Sequence, residues 1–140
     1  MPLKIPAPKI WLILILLLCL SVITACGSSS AEPTPLPGVN TWLLVKAPDQ
    51  PLPVDKPVNV RSRTEDAEAG VSHVELYALE LPSGETNVLI RSDRAPFDQT
   101  TFTASQFFIP KQPGHYVVQV VGFNNKGETA PSNIIGFDVK

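Results

Sequence analysis

From residue 39 onward the apolar positions fall in short runs with a two-residue period, the spacing of a strand with one buried face. The alternation is clearest after His115. Tyr116, Val118 and Val120 fall on one side, and Val117, Gln119, Val121 and Phe123 on the other. Similar runs of β-branched and aromatic residues predict strands at about 40–47, 57–64, 71–80, 86–92, 100–109, 115–124 and 133–139. No window holds a 3.6-residue period, and twelve of the fifteen prolines lie after residue 25, where each removes a helical N–H. Pro82-Ser83-Gly84 predicts a tight turn with Gly84 at positive φ, and Asn124-Asn125-Lys126-Gly127 a hairpin closed by a left-handed Gly127. Pro110 to Gly114 predicts a sharp corner, read as a third antiparallel connection. The expected fold class is all-β, an antiparallel sandwich of about seven strands with no parallel crossover.

The first quarter of the chain has another pattern. Lys4 and Lys9 precede an unbroken apolar run from Ile10 to Leu20, and small residues follow. A charged start, an apolar stretch and small residues make the layout of a secretory signal. Ile10 to Ala25 supplies 16 residues, two of them hydroxylated, short of the roughly 20 that a permanent membrane helix needs. The expected organisation is a cleaved signal peptide over 1–25, a Pro/Ser-rich linker over 26–38 and a sandwich over 39–140. Within the linker, residues 27–38 have no apolar periodicity, and their Pro-x-Pro-x-Pro part should be stiff. At about 3.1 Å per residue those twelve residues reach at most about 37 Å.

Ile23-Thr24-Ala25-Cys26, directly after the apolar run, resembles the lipobox of bacterial lipoproteins. The resemblance implies cleavage before Cys26, a diacylglycerol on its thiol and a fatty acyl group on the new amino terminus. Two or more chains, at about 0.8 kcal/mol per buried CH₂, hold a protein on a bilayer. The address implied is the extracytoplasmic side of the cell membrane. Gly27 stands where an Asp commonly retains such proteins in the inner membrane of diderm bacteria, which points to the outer membrane where the host has one.

Charge changes the picture only by exclusion. The chain has 11 basic and 13 acidic side chains, and loss of Lys4 and Lys9 with the leader brings the net from −2 to −4. That is not the basic footprint of a nucleic-acid-binding protein, nor one drawn electrostatically to an anionic membrane. Both cysteines, Cys19 and Cys26, belong to the leader and anchor, so the sandwich must cohere by core burial without a disulfide.

Tyr116-x-Val118-x-Val120-x-Gly122-x-Asn124-x-x-Gly127-x-Thr129-x-Pro131-Ser132 resembles the last two strands of fibronectin type III modules and bacterial Ig-like domains. Val74-Glu75-Leu76-Tyr77 and Arg94-Ala95-Pro96-Phe97 are similar to segments of bacterial Ig-like repeats. The resemblance implies an Ig-like sandwich in which the Tyr116 hydroxyl ties down the corner before its strand. The Ig cysteine pair and third-strand core tryptophan are missing, which favours the bacterial Ig-like or fibronectin-like group.

Candidate chemistry is sparse, and the expectation is a non-catalytic module without metal or cofactor beyond the lipid on Cys26. His73 and His115 fall in strand-like runs and read as sheet-surface residues. Glu65-Asp66-Ala67-Glu68 lacks the alternating oxygen ligands of a calcium loop and reads as a solvated turn. Arg91-Ser92-Asp93 is not the Arg-Gly-Asp adhesion triplet. What stands out is the apolar excess on an outward face: Val117, Val121 and Phe123, with Tyr77 and Ile134 added from neighbouring strands. Such a face suits a protein or cell-wall partner. The competing reading is a carbohydrate- or cell-wall-binding module stacking sugars on Trp42 and Tyr77.

Antiparallel succession also sets the poles. Loops 65–70, 93–99 and 124–132 should share the pole of Val39, where the tether enters. Loops 48–56, 81–85 and 110–114, with Lys140, should share the other. Glu65, Asp66 and Glu68 at the tethered pole would be mildly repelled by an anionic surface, which favours an upright domain. A partner from outside would then meet the far pole or the outward sheet.

Overall fold

In the computed structural model, which describes residues 38–140, the strand over Val71–Glu80 buries Val71, Val74, Leu76 and Ala78 and turns His73, Glu75 and Tyr77 outward. It is the third of eight strands: β1 (Asn40–Leu43), β2 (Val58–Glu65), β3 (Val71–Glu80), β4 (Thr86–Arg94), β5 (Thr101–Phe108), β6 (Gly114–Asn124), β7 (Thr129–Pro131) and β8 (Ile135–Val139). Two antiparallel sheets result, one ordered β1-β2-β5 and the other β4-β3-β6-β7, with β8 also on β6. The fold is an Ig-like β-sandwich whose fourth strand pairs with the third and not with the first sheet.

The expected seven strands become eight because the last one is broken. β7 and β8 both pair with β6, β7 through Phe123↔Thr129 and β8 from Val118↔Ile135 to Gly114↔Val139. Between them Ser132 substitutes a side chain for the ladder: its N–H donates to the Val120 carbonyl, and its Oγ accepts from the Val120 N–H at 3.1 Å. Asn133 then turns towards the other sheet, where its Oδ1 accepts from the Leu43 N–H at 3.1 Å.

The first strand stops at Leu43 and not near residue 47. The Leu44 N–H still donates to the Arg61 carbonyl at 2.8 Å, after which the chain leaves β2 and crosses to the second sheet through a segment where Pro48, Pro51 and Pro53 have no N–H to donate to a ladder. There Leu52 forms one parallel bridge with Val139, donating to the Asp138 carbonyl and accepting from the Lys140 N–H, both at 2.8 Å. The Pro110–Gly114 corner likewise joins different sheets, so it is an arch between β5 and β6 and not a hairpin. The turns at Gly84 (φ 86°) and Gly127 (φ 84°) are as expected.

The core is apolar towards the far pole. Phe108, Tyr116 and Phe137 pack with ring centroids 5.3 to 6.3 Å apart, and the Tyr116 hydroxyl donates to the Gln112 carbonyl at 2.8 Å, tying the corner. Val60, Val74, Leu76, Val118 and Val120 are fully buried behind them, which fixes the inward parity of β6. Towards the other pole the interior turns polar: Ser62, Thr64, Asp66 and Asn124 are all buried. The sheets come so close there that a Cβ on Gly122 would overlap Thr41 Oγ1 and the Thr64 side chain. Thr41 and Thr64 share a hydroxyl hydrogen bond of 3.0 Å across β1 and β2.

Backbone bonds show the two clusters of loops. Asp66 N–H to Thr100, Val71 N–H to Gln99 and Asn125 N–H to Gly70 join loops 65–70, 94–101 and 124–129 at the pole where Val39 enters β1. Asp55 N–H to the Pro110 carbonyl, and the Lys111–Asp55 ion pair at 2.9 Å, join loops at the opposite pole.

Candidate functional site

The five-stranded second sheet presents the outer face on which the apolar excess falls. Register across β3 and β6 sets His73 beside Phe123, Glu75 beside Val121 and Tyr77 beside Gln119. Val117 continues the row on β6, so Val117, Val121, Phe123 and Tyr77 share one face, each half-buried among its neighbours. Ile134, 57% exposed, does not lie on a strand but in the break between β7 and β8.

Local contacts hold this face in shape. The His73 imidazole stacks on Phe123 with centroids 4.2 Å apart and planes 12° apart, and Ser72 Oγ meets its Nδ1 at 3.1 Å. The Tyr77 hydroxyl donates to Glu75 Oε2 at 2.5 Å. That bond, together with burial and the nearby carboxylate charge, holds the Tyr77 hydroxyl above its ordinary pKa and protonated. Gln119 Nε2 donates to the Ser132 carbonyl at 2.7 Å. The face therefore offers apolar area with few free polar groups, a surface suited to packing and not to bond-making.

Two contributors escaped the sequence pattern. Leu89, 49% exposed, lies on β4 opposite Tyr77, but a register shift between Leu76 and Tyr77 hides this from counting along the chain. The His73–Phe123 stack depends on a cross-strand register that no local signal sets. At the edge of the face, near the tethered pole, an open pocket of about 510 Å³ lies between His73, Ser92, Arg94, Phe97 and Asn125.

The other candidates disperse. Trp42 lies on β1 under the Arg63 guanidinium, 5.9 Å from its ring centroid, on the outer face of the first sheet. Tyr77 lies on the outer face of the second, so the two rings point away from each other and form no sugar-stacking platform. His115 pairs with Asp138 at 2.9 Å on the surface, eight residues along β6 from Phe123, roughly 27 Å at 3.4 Å per residue. The two histidines cannot converge. Arg91 and Asp93 form an ion pair along β4 at 2.9 Å.

Asp66 corrects the reading of the acidic segment as a solvated turn, since it is only 2% exposed. Its Oδ1 accepts from the Glu68 and Ala69 N–H groups at 2.9 and 2.7 Å, and its Oδ2 from Asn124 Nδ2 at 2.8 Å. Burial pushes this carboxyl up, but the bonds from Ala69, Asn124 and Glu68, with Lys126 nearby, outweigh it, and the group sits below the ordinary aspartate value. With its oxygens so engaged, Asp66 is a structural tie. Among the described residues no cluster of three His, Cys, Asp or Glu could hold a metal ion. Cys26, the leader over 1–25 and the linker up to residue 37 lie outside the described residues.

No family profile matches this chain, and no curated protein does. Solved structures do match. The fibronectin(III)-like modules of CbhA from Clostridium thermocellum align over 72% of this chain and 97% of theirs, at 15% identity and a TM-score of 0.52. A superoxide reductase (neelaredoxin) of Ignicoccus hospitalis aligns over 71% of this chain and 79% of its own, at 14% identity and a TM-score of 0.51. Likeness at such identity concerns the fold alone: this chain is similar to fibronectin(III)-like modules in the arrangement of its two sheets.

Proposed function

We propose that this chain is a lipid-anchored, non-catalytic module on the outer side of a bacterial membrane, whose second sheet docks another envelope component. The observation that carries the docking reading is the collection of Val117, Val121, Phe123, Tyr77 and Leu89 on one outward face with almost no unpaired polar group among them. Likeness to fibronectin(III)-like modules supports a binding or spacing role, since such a sandwich presents surfaces without needing a pocket chemistry. Ile23-Thr24-Ala25-Cys26 after an apolar run supports the anchor, with the linker over 27–38 tethering the domain to it and the lipid on Cys26 as the only prosthetic group. The partner is a protein or cell-wall component and not a nucleic acid.

Two measurements test the reading separately. Cells supplied with a clickable fatty acid should label the wild type and not Cys26→Ser; equal labelling of both removes the anchor. A photo-crosslinking amino acid at Val121 should give one discrete adduct in intact cells, and the same group at Ser105, on the opposite sheet, should not. Adducts of equal yield from both positions, or from neither, remove the docking face.

A further inference from the structure

Phe97 is 98% exposed, while the other exposed large apolar side chains of the described residues lie between 42% and 57%. Its loop cannot tuck the ring away. Ala95 N–H donates to the Ser72 carbonyl at 2.9 Å, Val71 N–H to Gln99 at 2.7 Å and Asp66 N–H to Thr100 at 2.9 Å, which pins both flanks. Pro96 fixes its own φ just before the ring, and Asp98 just after it holds a left-handed φ of 62°. The result is an apolar ring presented to solvent on a stiff projection.

Its place in the fold says what covers it. Thr101, at the end of the loop, pairs with Glu65, and Glu65 pairs with Asn40. The projection thus springs from a point two strand spacings, about 10 Å, from where the chain enters through Gly38 and Val39. A tether of at most about 37 Å runs from that point to Cys26. A protein bound over this pole would have to fit between the domain and the surface holding the lipid, whereas the bilayer itself is already within reach. The charges around the projection are mixed. Arg94 and Asp98 lie on its own segment, Glu65 is paired with Arg63, Glu68 is on the β2–β3 loop, and Lys126 and Glu128 are on the hairpin after β6. The pole therefore has no strong electrostatic preference, and what it offers a surface is the ring.

We propose that Phe97 is a membrane-contact residue: with the chain held by a lipid on Cys26, the tethered pole rests on the bilayer and the Phe97 ring enters the interfacial layer of the phospholipids. This rests on the anchored reading above. It gives the upright orientation a physical contact, with the second sheet perpendicular to the membrane and open to a partner.

The test uses the full chain, matured and lipid-modified in cells, then placed in phosphatidylcholine vesicles carrying a nitroxide high on the acyl chain. Once Cys26 is acylated and the leader removed, no other thiol remains, so a single added cysteine takes a fluorophore cleanly. A probe at Phe97→Cys should be quenched by the nitroxide several-fold more than one at Ser83→Cys, on the opposite pole. A probe at Lys126→Cys should lose much of its quenching when Phe97→Ser is added, while the thermal midpoint stays unchanged because the ring supports nothing in the domain. Fatty-acid labelling of the same preparation separates the failures. A labelled protein whose Phe97 and Ser83 probes are equally unquenched, or whose Ser83 probe is quenched more, overturns the membrane-contact role and leaves the anchor standing. A wild type that takes no label overturns both.

Discussion

Asp66 Oδ2 accepts a 2.8 Å hydrogen bond from the Asn124 side-chain amide, a contact between residues 58 positions apart that ties the loop after β2 to the hairpin after β6. Asn124 extends the tie in the other direction, its Oδ1 accepting from the Lys126 and Glu128 N–H groups at 3.0 and 2.8 Å. One buried carboxylate thus organises two loops.

A pH dependence follows. The folded Asp66 value lies below 3.8, so the ionised form is the one the fold favours. Its stabilisation is complete well above 3.8 and is lost as acidification carries the pH down through the folded value. Asp66→Asn should cost on the order of 1–3 kcal/mol at pH 7, from lost charge-assisted bonds to backbone N–H groups. Urea unfolding of the two proteins should show that gap narrowing as the pH falls towards 3. A gap independent of pH would contradict the role given to the carboxylate.

Gly122 is held by space. Gly122→Ala introduces a Cβ that overlaps Thr41 and Thr64 across the sandwich, and both belong to strands that cannot easily withdraw. Overpacking of this kind costs about 1–3 kcal/mol. Pairing it with Thr64→Ser, which removes one of the clashing atoms, should give a loss smaller than the sum of the single losses. Simple additivity in a double-mutant cycle would speak against a direct clash.

The Tyr116 hydroxyl and ring do separate work. Tyr116→Phe keeps the packing with Phe108 and Phe137 but releases the Gln112 carbonyl, for a cost near 1 kcal/mol. Tyr116→Ala also empties the ring's place and should cost about 3–5 kcal/mol. Denaturation midpoints that are equally low for both would place the whole contribution in the corner bond.

Ser62 offers the opposite sign. Its side chain is fully buried, and its Oγ has no hydrogen-bond partner among the described residues. Ser62→Ala removes an unpaired hydroxyl at almost no change in volume. The variant should be as stable as the wild type or more so, by up to about 1 kcal/mol. A clear loss in thermal or urea midpoint would show that the hydroxyl is engaged.

Much of the sandwich was legible because its information is local. The two-residue period of 116–124 gives the parity of β6 directly, and Val71–Glu80 is a strand over the very residues the pattern marks. The glycines of the two turns and the sharing of poles follow from turn chemistry and chain order, while the Tyr116 tie to the corner before its strand is what the resemblance to fibronectin-like domains implied. What was not legible depends on distant partners. Asp66 reads as one acid among three until Asn124 is beside it, and the β7–β8 break is invisible until the Ser132 hydroxyl meets the Val120 backbone. Of the outward face, the β6 members followed from alternation. Leu89 needed the bulge between Leu76 and Tyr77, and the splitting of Trp42 from Tyr77 needed the assignment of strands to sheets.

The gradient of the interior, aromatic at one pole and hydrogen-bonded at the other, makes the two ends of one small domain answer to different solvents. Apolar burial weakens on cooling and in urea, so those conditions loosen first the end packed by Phe108, Tyr116 and Phe137. Acid leaves that packing alone and acts on the Asp66–Asn124 end, where the loops are joined. Amide exchange followed along β6, which runs from one end to the other, should therefore show protection fading from Tyr116 in the cold and from Asn124 in acid.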